Sequence, residues 1–156
     1  LAYLQFFYSP LKDELEFFGV DQRHELDIEG LARIPSEQQL KSKKVPSFNV
    51  IGNSPLVLRE SLLDEVYTMG ENFVEAAKRV VSPGMNGPFC IEGVYDENAK
   101  FTSFEFSARI VAGTNIYMDG SPYYSLLFNE PMSMGKRIAR EIKTATESNQ
   151  LDKITT

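Results

Sequence analysis

The stretch "FCIEGVYDENAKFTSFEFSAR", residues 89–109, is typical of two β-strands joined by a tight polar turn. Each strand carries one glutamate inside an otherwise apolar run, Glu92 in the first strand and Glu105 in the second. When the turn is centred on Asn98 and Ala99, Glu92 lies directly opposite Glu105. The stretch therefore predicts an antiparallel hairpin with two like charges side by side.

The same register divides the hairpin into an apolar face and a polar face. On the apolar face, Ile91 pairs with Phe106, and Phe89 pairs with Ala108. The face of Glu92 also carries Cys90, Val94, Ser103, Ser107 and Arg109. One side of the hairpin is thus suited to packing, and the other presents acids, hydroxyls and an arginine.

The opposed glutamates require something that offsets their repulsion. Residues paired across two strands have Cβ atoms roughly 4.5–5.5 Å apart, and like charges at that spacing destabilise a sheet. A magnesium ion would offset the repulsion, because it binds one or two carboxylates together with the phosphates of a nucleotide. Arg109 could hold a phosphate oxygen beside it. The alternative is a pair of solvated acids, or acids of which one pairs with a lysine or arginine.

The rest of the chain predicts an α+β fold with a largely antiparallel sheet and two main helices. Residues 27–44 are polar and broken by Gly30 and Pro35, which is typical of a loop. Gly19 is a candidate β-bulge within its strand. The further predicted strands cover residues 2–8, 15–26 and 46–55, and the helices cover about 62–80 and 133–146.

Both predicted helices are amphipathic. The first has an apolar residue at every third or fourth position, and Ser61 is placed to cap it. Ser133 is placed to cap the second helix. The buried face predicted for the second helix consists of Met134, Ile138, Ile142 and Ala145.

Composition narrows the class of protein. The 156 residues include 42% hydrophobic residues and carry a net charge of −6, so we expect one folded domain portion, residues 1–156, without a nucleic-acid or membrane partner. A single cysteine cannot form an internal disulfide, which favours the cytoplasm. The chain opens on "LAYLQFFYSP" without a methionine, which indicates a fragment of a longer polypeptide.

Several longer motifs resemble a known family. "GPFCIEGV", "FEFSARIVAGTN", "GSPYYSLLF" and "MSMGKRIAREIK" closely resemble the C-terminal half of the archaeal 5-formaminoimidazole-4-carboxamide ribonucleotide synthetases, which are ATP-grasp ligases. "GNSPLVLRESLL" and "FFYSPLKDELEFFGVD" resemble the same family further upstream. The resemblance implies that residues 1–156 are the C-terminal portion of an ATP-grasp fold whose N-terminal half is absent from this chain.

The resemblance also implies a reaction. These ligases join formate to the amine of aminoimidazole carboxamide ribonucleotide in purine (IMP) biosynthesis, using ATP and magnesium, with manganese as an alternative cation. Formyl phosphate is the intermediate that an ATP-grasp mechanism implies. Small molecules are therefore the expected substrates, and we expect the ligase to be a homo-oligomer.

Five residues match the motifs of this family. Glu92 and Glu105 match its magnesium ligands, and Glu25 matches a residue that contacts ATP. Asn53 matches a residue that binds the nucleotide substrate. Arg109 matches an arginine that follows the acidic ligand in many ATP-grasp enzymes, so it is the candidate for stabilising the transferring phosphoryl group.

Some alternatives stay open at this point. Ser107 stands where many ATP-grasp proteins have asparagine, so the sequence permits one or two metal ions. Without a glycine-rich loop that grips phosphates, we expect the chain alone to be catalytically incomplete. Another ATP-grasp carboxylate–amine ligase and a noncatalytic nucleotide-binding or oligomerisation module are the alternative functions. His24 and Cys90 are expected to be structural.

Overall fold

A five-stranded antiparallel sheet forms the centre of the chain. The computed structural model describes residues 1–47 and 49–155. The strands are β1 (Ala2–Ser9), β2 (Glu14–Glu25), β3 (Val50–Leu56), β4 (Gly87–Tyr95) and β5 (Phe101–Ser107). Their order across the sheet is β3-β2-β1-β4-β5, so the fully buried β1 lies in the middle. The predicted α+β class with an antiparallel sheet is confirmed.

Within the described ranges, five α-helices accompany the sheet, and two of them are long. They are α1 (Leu26–Leu31), α2 (Ser36–Ser42), α3 (Leu63–Val80), α4 (Pro122–Phe128) and α5 (Met134–Glu147). The two predicted helices are confirmed as α3 and α5. The predicted loop at 27–44 is wrong: α1 continues through Gly30, and Pro35 immediately precedes the first residue of α2. Among the described residues, no helix combines the length and apolar character that crossing a membrane requires.

Helix α3 covers one face of the sheet. Its buried Val66 and Val74 pack on a core that includes Phe6 of β1 and Phe89 of β4. The ring of Phe6 stacks on that of Phe89 with centroids 5.1 Å apart. The predicted cap at Ser61 is wrong, because a 3-10 turn over Glu60–Leu62 leads directly into the helix.

Helices α4 and α5 cover the opposite face. Phe7 of β1, Phe18 of β2 and Tyr124 of α4 form the centre of this second core, with Met132 and Met134. The sequence predicted a bulge at Gly19. The register shift is found there, but the extra residue is the neighbouring Phe18. The sheet is therefore covered on both faces, which leaves its ends and edges for a site.

Helix α5 begins as predicted but buries a different face. The Ser133 hydroxyl accepts the backbone N–H of Lys136 at 3.2 Å, which confirms the cap. Ile142, predicted to be buried, is 49% exposed, whereas Arg137 and Glu141 are buried. The prediction failed at these positions because an arginine and a glutamate can be buried together when each neutralises the other.

The hairpin has the predicted register at its glutamates. Glu92 pairs with Glu105 and Ile91 pairs with Phe106, as the sequence predicted. A register shift beyond Glu92 leaves Phe104 as an extra residue, so Ser103 lies opposite Gly93. Ser103 therefore lies on the face of α3, and its predicted place beside the glutamates is wrong.

Candidate functional site

A cavity of about 660 Å³ opens at the end of the sheet beside α1. Strands β1, β2, β4 and β5 contribute to its wall. Its charged lining consists of Arg23, Glu25, Glu29, Arg33, Glu92 and Glu105. The structure thus brings three of the predicted site residues, Glu25, Glu92 and Glu105, to one cavity.

The two opposed glutamates differ in exposure. Glu92 is only 4% exposed, because β4 is paired on both sides within the sheet. Glu105 lies on β5, at one edge of the sheet, and is exposed. The Ser107 hydroxyl donates a hydrogen bond of 3.1 Å to Oε1 of Glu92. The pair therefore offers one fixed carboxylate and one that solvent reaches.

Arg23 supplies the positive charge nearest to this pair. Its Nη1 lies 3.7 Å from Oε2 of Glu92. Its guanidinium also lies over the ring of Tyr3, 3.8 Å from the ring centroid. An arginine partner was among the alternatives that the sequence left open, but Arg23 itself was not singled out. Alternation along β2, which places Asp21 and Arg23 on one face, was the signal that could have found it.

The environment of Glu92 favours binding of a cation with more charge than the Arg23 guanidinium. Burial raises the pKa of Glu92 above its ordinary value, and the charge of Glu105 adds to that rise. Arg23 and the hydrogen bond from Ser107 act in the opposite direction but do not cancel the effect of burial. The negative charge of Glu92 is thus incompletely compensated by its protein neighbours.

Glu25 lies where β2 meets α1. It is the last residue of the strand and occupies the position before the first turn of the helix. It is half-buried and lines the same cavity as the two glutamates of the hairpin. This position is compatible with the predicted contact to ATP, and the contact stays a prediction.

Asn53 belongs to a neighbouring cluster rather than to the cavity wall. It lies on β3 opposite Arg23, and its Nδ2 donates to Oδ2 of Asp21 at 2.6 Å. The amide of Gln5 donates to Oδ1 of the same carboxylate. Asn53 is not among the residues that line the cavity of Glu92 and Glu105. Its role in binding the nucleotide substrate stays a prediction.

Asp21 is the centre of this second cluster. It is completely buried, and burial raises the pKa of its carboxyl despite the hydrogen bonds from Gln5 and Asn53. Gly113, in the 3-10 turn Ala112–Tyr117, lies directly against it: an added Cβ would be 2.2 Å from Oδ1 of Asp21. Residues 112–115 are therefore part of a packed turn that closes over Asp21.

Arg109 lies outside the cavity. Strand β5 ends at Ser107, two residues before Arg109, so no strand pairing fixes Arg109 on the face of Glu92. Its side chain is exposed, and Nη1 donates to the carbonyl of Ile110 at 2.9 Å. The catalytic role of Arg109 stays a prediction.

The histidine and the cysteine have structural environments, as predicted. His24 Nε2 lies 2.8 Å from the Ser54 hydroxyl, and Nδ1 lies 3.3 Å from Glu29. Cys90 is completely buried, and burial raises the pKa of its thiol. A buried thiol with a raised pKa is a poor nucleophile at neutral pH.

The donor set of the hairpin fits magnesium in chemistry and in number. Glu92 and Glu105 offer carboxylate oxygens, and Ser107 offers a hydroxyl oxygen beside them. The described residues contain no group of three or more His, Cys, Asp or Glu side chains that could hold a metal by itself. Magnesium characteristically uses one or two carboxylates and completes its coordination with water and phosphate. The pair therefore fits a cation that arrives with a nucleotide.

Comparison with known proteins places the chain in a family. A family model described as "Domain of unknown function (DUF1297)" matches residues 1–156. The chain belongs to this family. The relatives of this DUF1297 chain include proteins named as 5-formaminoimidazole-4-carboxamide-1-(beta)-D-ribofuranosyl 5'-monophosphate synthetase. The one from Nitrosopumilus maritimus is 88% identical and the one from Cenarchaeum symbiosum is 74% identical, each over 100% of this chain.

A solved structure extends the comparison. The crystal structure of an IMP biosynthesis protein PurP from Thermococcus kodakaraensis matches 99% of the DUF1297 chain with a TM-score of 0.81 and 37% identity. The chain covers 48% of that protein and 46% of the two curated relatives. It thus spans about half the length of the relatives it matches. The resemblance to this group of synthetases, stated from the motifs, is confirmed.

Proposed function

We propose that the chain is the C-terminal portion of an ATP-grasp ligase that formylates aminoimidazole carboxamide ribonucleotide with formate, at the expense of ATP, in purine (IMP) biosynthesis. The names of the relatives, which share up to 88% identity with the chain, support this substrate. The covered share of 46% supports the assignment to one portion of a longer enzyme. The proposed ligase acts in the cytoplasm.

The observation that carries the proposal is the register of the hairpin. Glu92 and Glu105 are paired across two strands and line one cavity together with Glu25. Opposing two carboxylates, one of them buried, costs stability, and Arg23 offsets the charge of Glu92 only in part. A divalent cation would supply the missing positive charge. Magnesium held by these two glutamates would neutralise charge on the transferring phosphoryl group.

The chemistry proceeds in two steps. An oxygen of formate attacks the γ-phosphorus of ATP, the bond to the bridging oxygen breaks, and ADP leaves. The amine of the nucleotide then attacks the carbonyl carbon of formyl phosphate, loses a proton, and expels inorganic phosphate. The product is a formamide. This chain's contribution is to place the ATP phosphates against Glu92 and Glu105 and the ribose side of ATP near Glu25.

Two further residues complete the proposed site. Asn53, held by Asp21 at 2.6 Å, is the proposed contact to the nucleotide substrate. Arg109, whose exposed side chain donates only Nη1 to the Ile110 carbonyl, is proposed to stabilise the transferring phosphoryl group. Both assignments rest on the motifs that the chain shares with its relatives.

The test is release of ADP by the full-length protein in the presence of magnesium, with formate and the aminoimidazole nucleotide omitted in turn. Release is expected to need both substrates and to yield the formylated nucleotide. Release with a different acid or amine would leave an ATP-grasp ligase but contradict the pathway. Absence of ADP under every pairing, with magnesium-dependent ATP binding retained, would favour the noncatalytic binding module.

A matched pair of variants tests the carboxylates. Glu105→Gln is expected to lower turnover roughly 100-fold, because a bound metal contributes several kcal/mol to the transition state. Glu97→Gln removes the same charge from the exposed turn of the hairpin and is expected to leave turnover unchanged. Equal turnover in the two variants would show that Glu105 does not take part in the site.

A further inference from the structure

We propose that the Arg23 guanidinium is a built-in counter-ion of Glu92. A divalent cation displaces the guanidinium from Glu92, and the guanidinium then binds the phosphates that accompany the cation. The inference rests on the proposed function, because it uses the same pair of glutamates. It assigns Arg23 a role in taking up a cation–polyphosphate complex.

The contact between Arg23 and Glu92 is suited to being broken. The Oε1 atom of Glu92 accepts the hydrogen bond from Ser107, so Arg23 faces the other oxygen, Oε2. The 3.7 Å separation from Nη1 to Oε2 is longer than a hydrogen bond. The attraction is therefore Coulombic without a directional bond, and a cation that coordinates Oε2 replaces it without loss of a hydrogen bond.

Tyr3 provides a flat support on which the guanidinium can shift. Tyr3 pairs with Asp21 of β2 on one side and with Glu92 of β4 on the other. Its ring therefore lies between the strand that carries Arg23 and the strand that carries Glu92. The guanidinium lies 3.8 Å from the ring centroid, and the side chain keeps 23% exposure. A planar group over a ring can slide toward solvent while it stays in contact.

The charges of the cavity explain why such an exchange would be needed. Two arginines and four glutamates line it, which leaves a formal charge of −2. A cavity of that charge repels a polyphosphate until a cation has bound. Once the cation occupies the glutamates, Arg23 loses its partner and its donor groups are free for phosphate oxygens. Arginine suits that second role, because its planar fork matches phosphate geometry.

A purely structural clamp makes the opposite prediction. If Arg23 only held β2 against β4, its removal would loosen the site and weaken the binding of a cation. If it is a counter-ion, its removal leaves Glu92 without a competing charge and strengthens the binding of a cation alone. The sign of the change in cation affinity therefore separates the two roles.

The experiment measures binding of Mn²⁺ to the full-length protein by electron paramagnetic resonance, first as the metal alone and then with ATP. Arg23→Met is expected to tighten binding of Mn²⁺ alone about two- to fivefold, as loss of a partly exposed ion pair allows. It is expected to weaken binding of the Mn²⁺–ATP complex about tenfold or more, through lost charge-assisted hydrogen bonds.

Arg33→Met is the matched control. It removes the same charge from the same cavity, but Arg33 does not contact Glu92 in the described part of the chain. We expect less than half the effect of Arg23→Met on binding of Mn²⁺ alone. An equal effect of the two variants would overturn the exchange, because the general field of the cavity would then explain the result.

The remaining outcomes separate this inference from the proposed function. If the wild-type protein binds Mn²⁺ but Arg23→Met binds it no more tightly, the exchange fails and the metal site stands. If neither protein binds Mn²⁺, the metal site and the exchange both fail.

Should Arg23→Met not fold, Arg23→Lys replaces it. The lysine retains the charge, so binding of Mn²⁺ alone is expected to stay unchanged. Binding of the Mn²⁺–ATP complex is expected to weaken about threefold, because lysine lacks the planar fork. Unchanged Mn²⁺–ATP binding in Arg23→Lys would overturn the phosphate contact.

Discussion

Arg137 of α5 binds Glu16 of β2 inside the protein, across 121 residues of sequence. Nε donates to both carboxylate oxygens, at 3.0 and 2.9 Å, and Nη2 donates to Oε1 at 2.8 Å. Glu141 accepts from Nη1 at 2.7 Å, and the Tyr124 hydroxyl donates to Glu16 at 2.7 Å. This cluster fastens α4 and α5 to the sheet that carries the candidate site.

Removal of the arginine should leave two buried carboxylates without a counter-charge. Arg137→Met is expected to lower the free energy of unfolding by about 3–5 kcal/mol, the usual cost of breaking a buried pair. Urea unfolding followed by circular dichroism measures the loss. Lys136→Met, at the preceding and exposed position, is the control and should change stability by less than about 1 kcal/mol. A loss that small for Arg137→Met would contradict the role of the cluster.

The opposed glutamates predict a gain in stability when one charge is removed. Without a divalent cation, Glu105→Gln should raise the free energy of unfolding by about 0.2–1 kcal/mol, because the repulsion from Glu92 disappears. The control Glu97→Gln, in the turn, should not produce this gain. Thermal unfolding in the presence of a chelator is the measurement. A lower melting temperature for Glu105→Gln than for the control would show that the two charges do not repel.

Asp21 predicts a pH dependence. Burial raises the pKa of its carboxyl above the ordinary value of 3.8, so the folded state binds this proton more tightly than the unfolded state. The contribution of Asp21 to stability therefore falls as the pH rises from that ordinary value through the raised one, by about 1.4 kcal/mol for each pKa unit. Asp21→Asn removes the titration, so its stability relative to wild type should increase with pH.

Urea unfolding between pH 4 and pH 8, without metal, measures this difference. The Asn side chain at position 21 can still accept a hydrogen bond through its carbonyl oxygen. Its amide N–H can donate to Oε1 of Gln5 after that amide rotates, since Gln5 Oε1 has no partner in the described structure. The exposed Asp119→Asn is the control, and its profile should run parallel to that of wild type. A parallel profile for Asp21→Asn would show that the buried carboxyl does not titrate in this range.

Gly113 predicts a steric effect. A Cβ at this position would approach the Asp21 carboxylate to 2.2–2.5 Å, so Gly113→Ala must displace the turn or the acid. We expect a loss of about 1–3 kcal/mol, as for other overpacked sites. Gly135→Ala, at the start of α5, meets no atom within 4 Å and should be neutral or stabilising by up to about 1 kcal/mol. Equal stability of the two variants would mean that the turn adapts freely.

Local patterns in the sequence were sufficient for the hairpin. A two-residue periodicity and a short turn fix which residues face each other, and the pairing of Glu92 with Glu105 followed from them. The bulge at Phe104 was missed, because the turn closes at Asp96 and Lys100 rather than around Asn98 and Ala99. Glu92 and Glu105 kept the predicted pairing because they lie beyond the bulge, farther from the turn.

Contacts between distant residues could not be predicted in the same way. The burial of Arg137 depends on Glu16, and the position of Arg23 beside Glu92 depends on strand β1 lying between their strands. Local patterns in one sequence do not reveal which residues of distant strands and helices become neighbours. The face of α5 was therefore assigned from hydrophobicity alone, which placed Ile142 inside and overlooked the arginine.

The position of Glu105 on an edge strand has a consequence for how the site responds to a ligand. Local opening costs least at the margin of a sheet, so the backbone amides of β5 should exchange with solvent deuterium sooner than those of β1. A cation coordinated by both Glu105 and the buried Glu92 would link the edge strand β5 to the interior strand β4. The amides of β5 should then take up deuterium more slowly with the ligand bound than without it, even before any chemistry takes place.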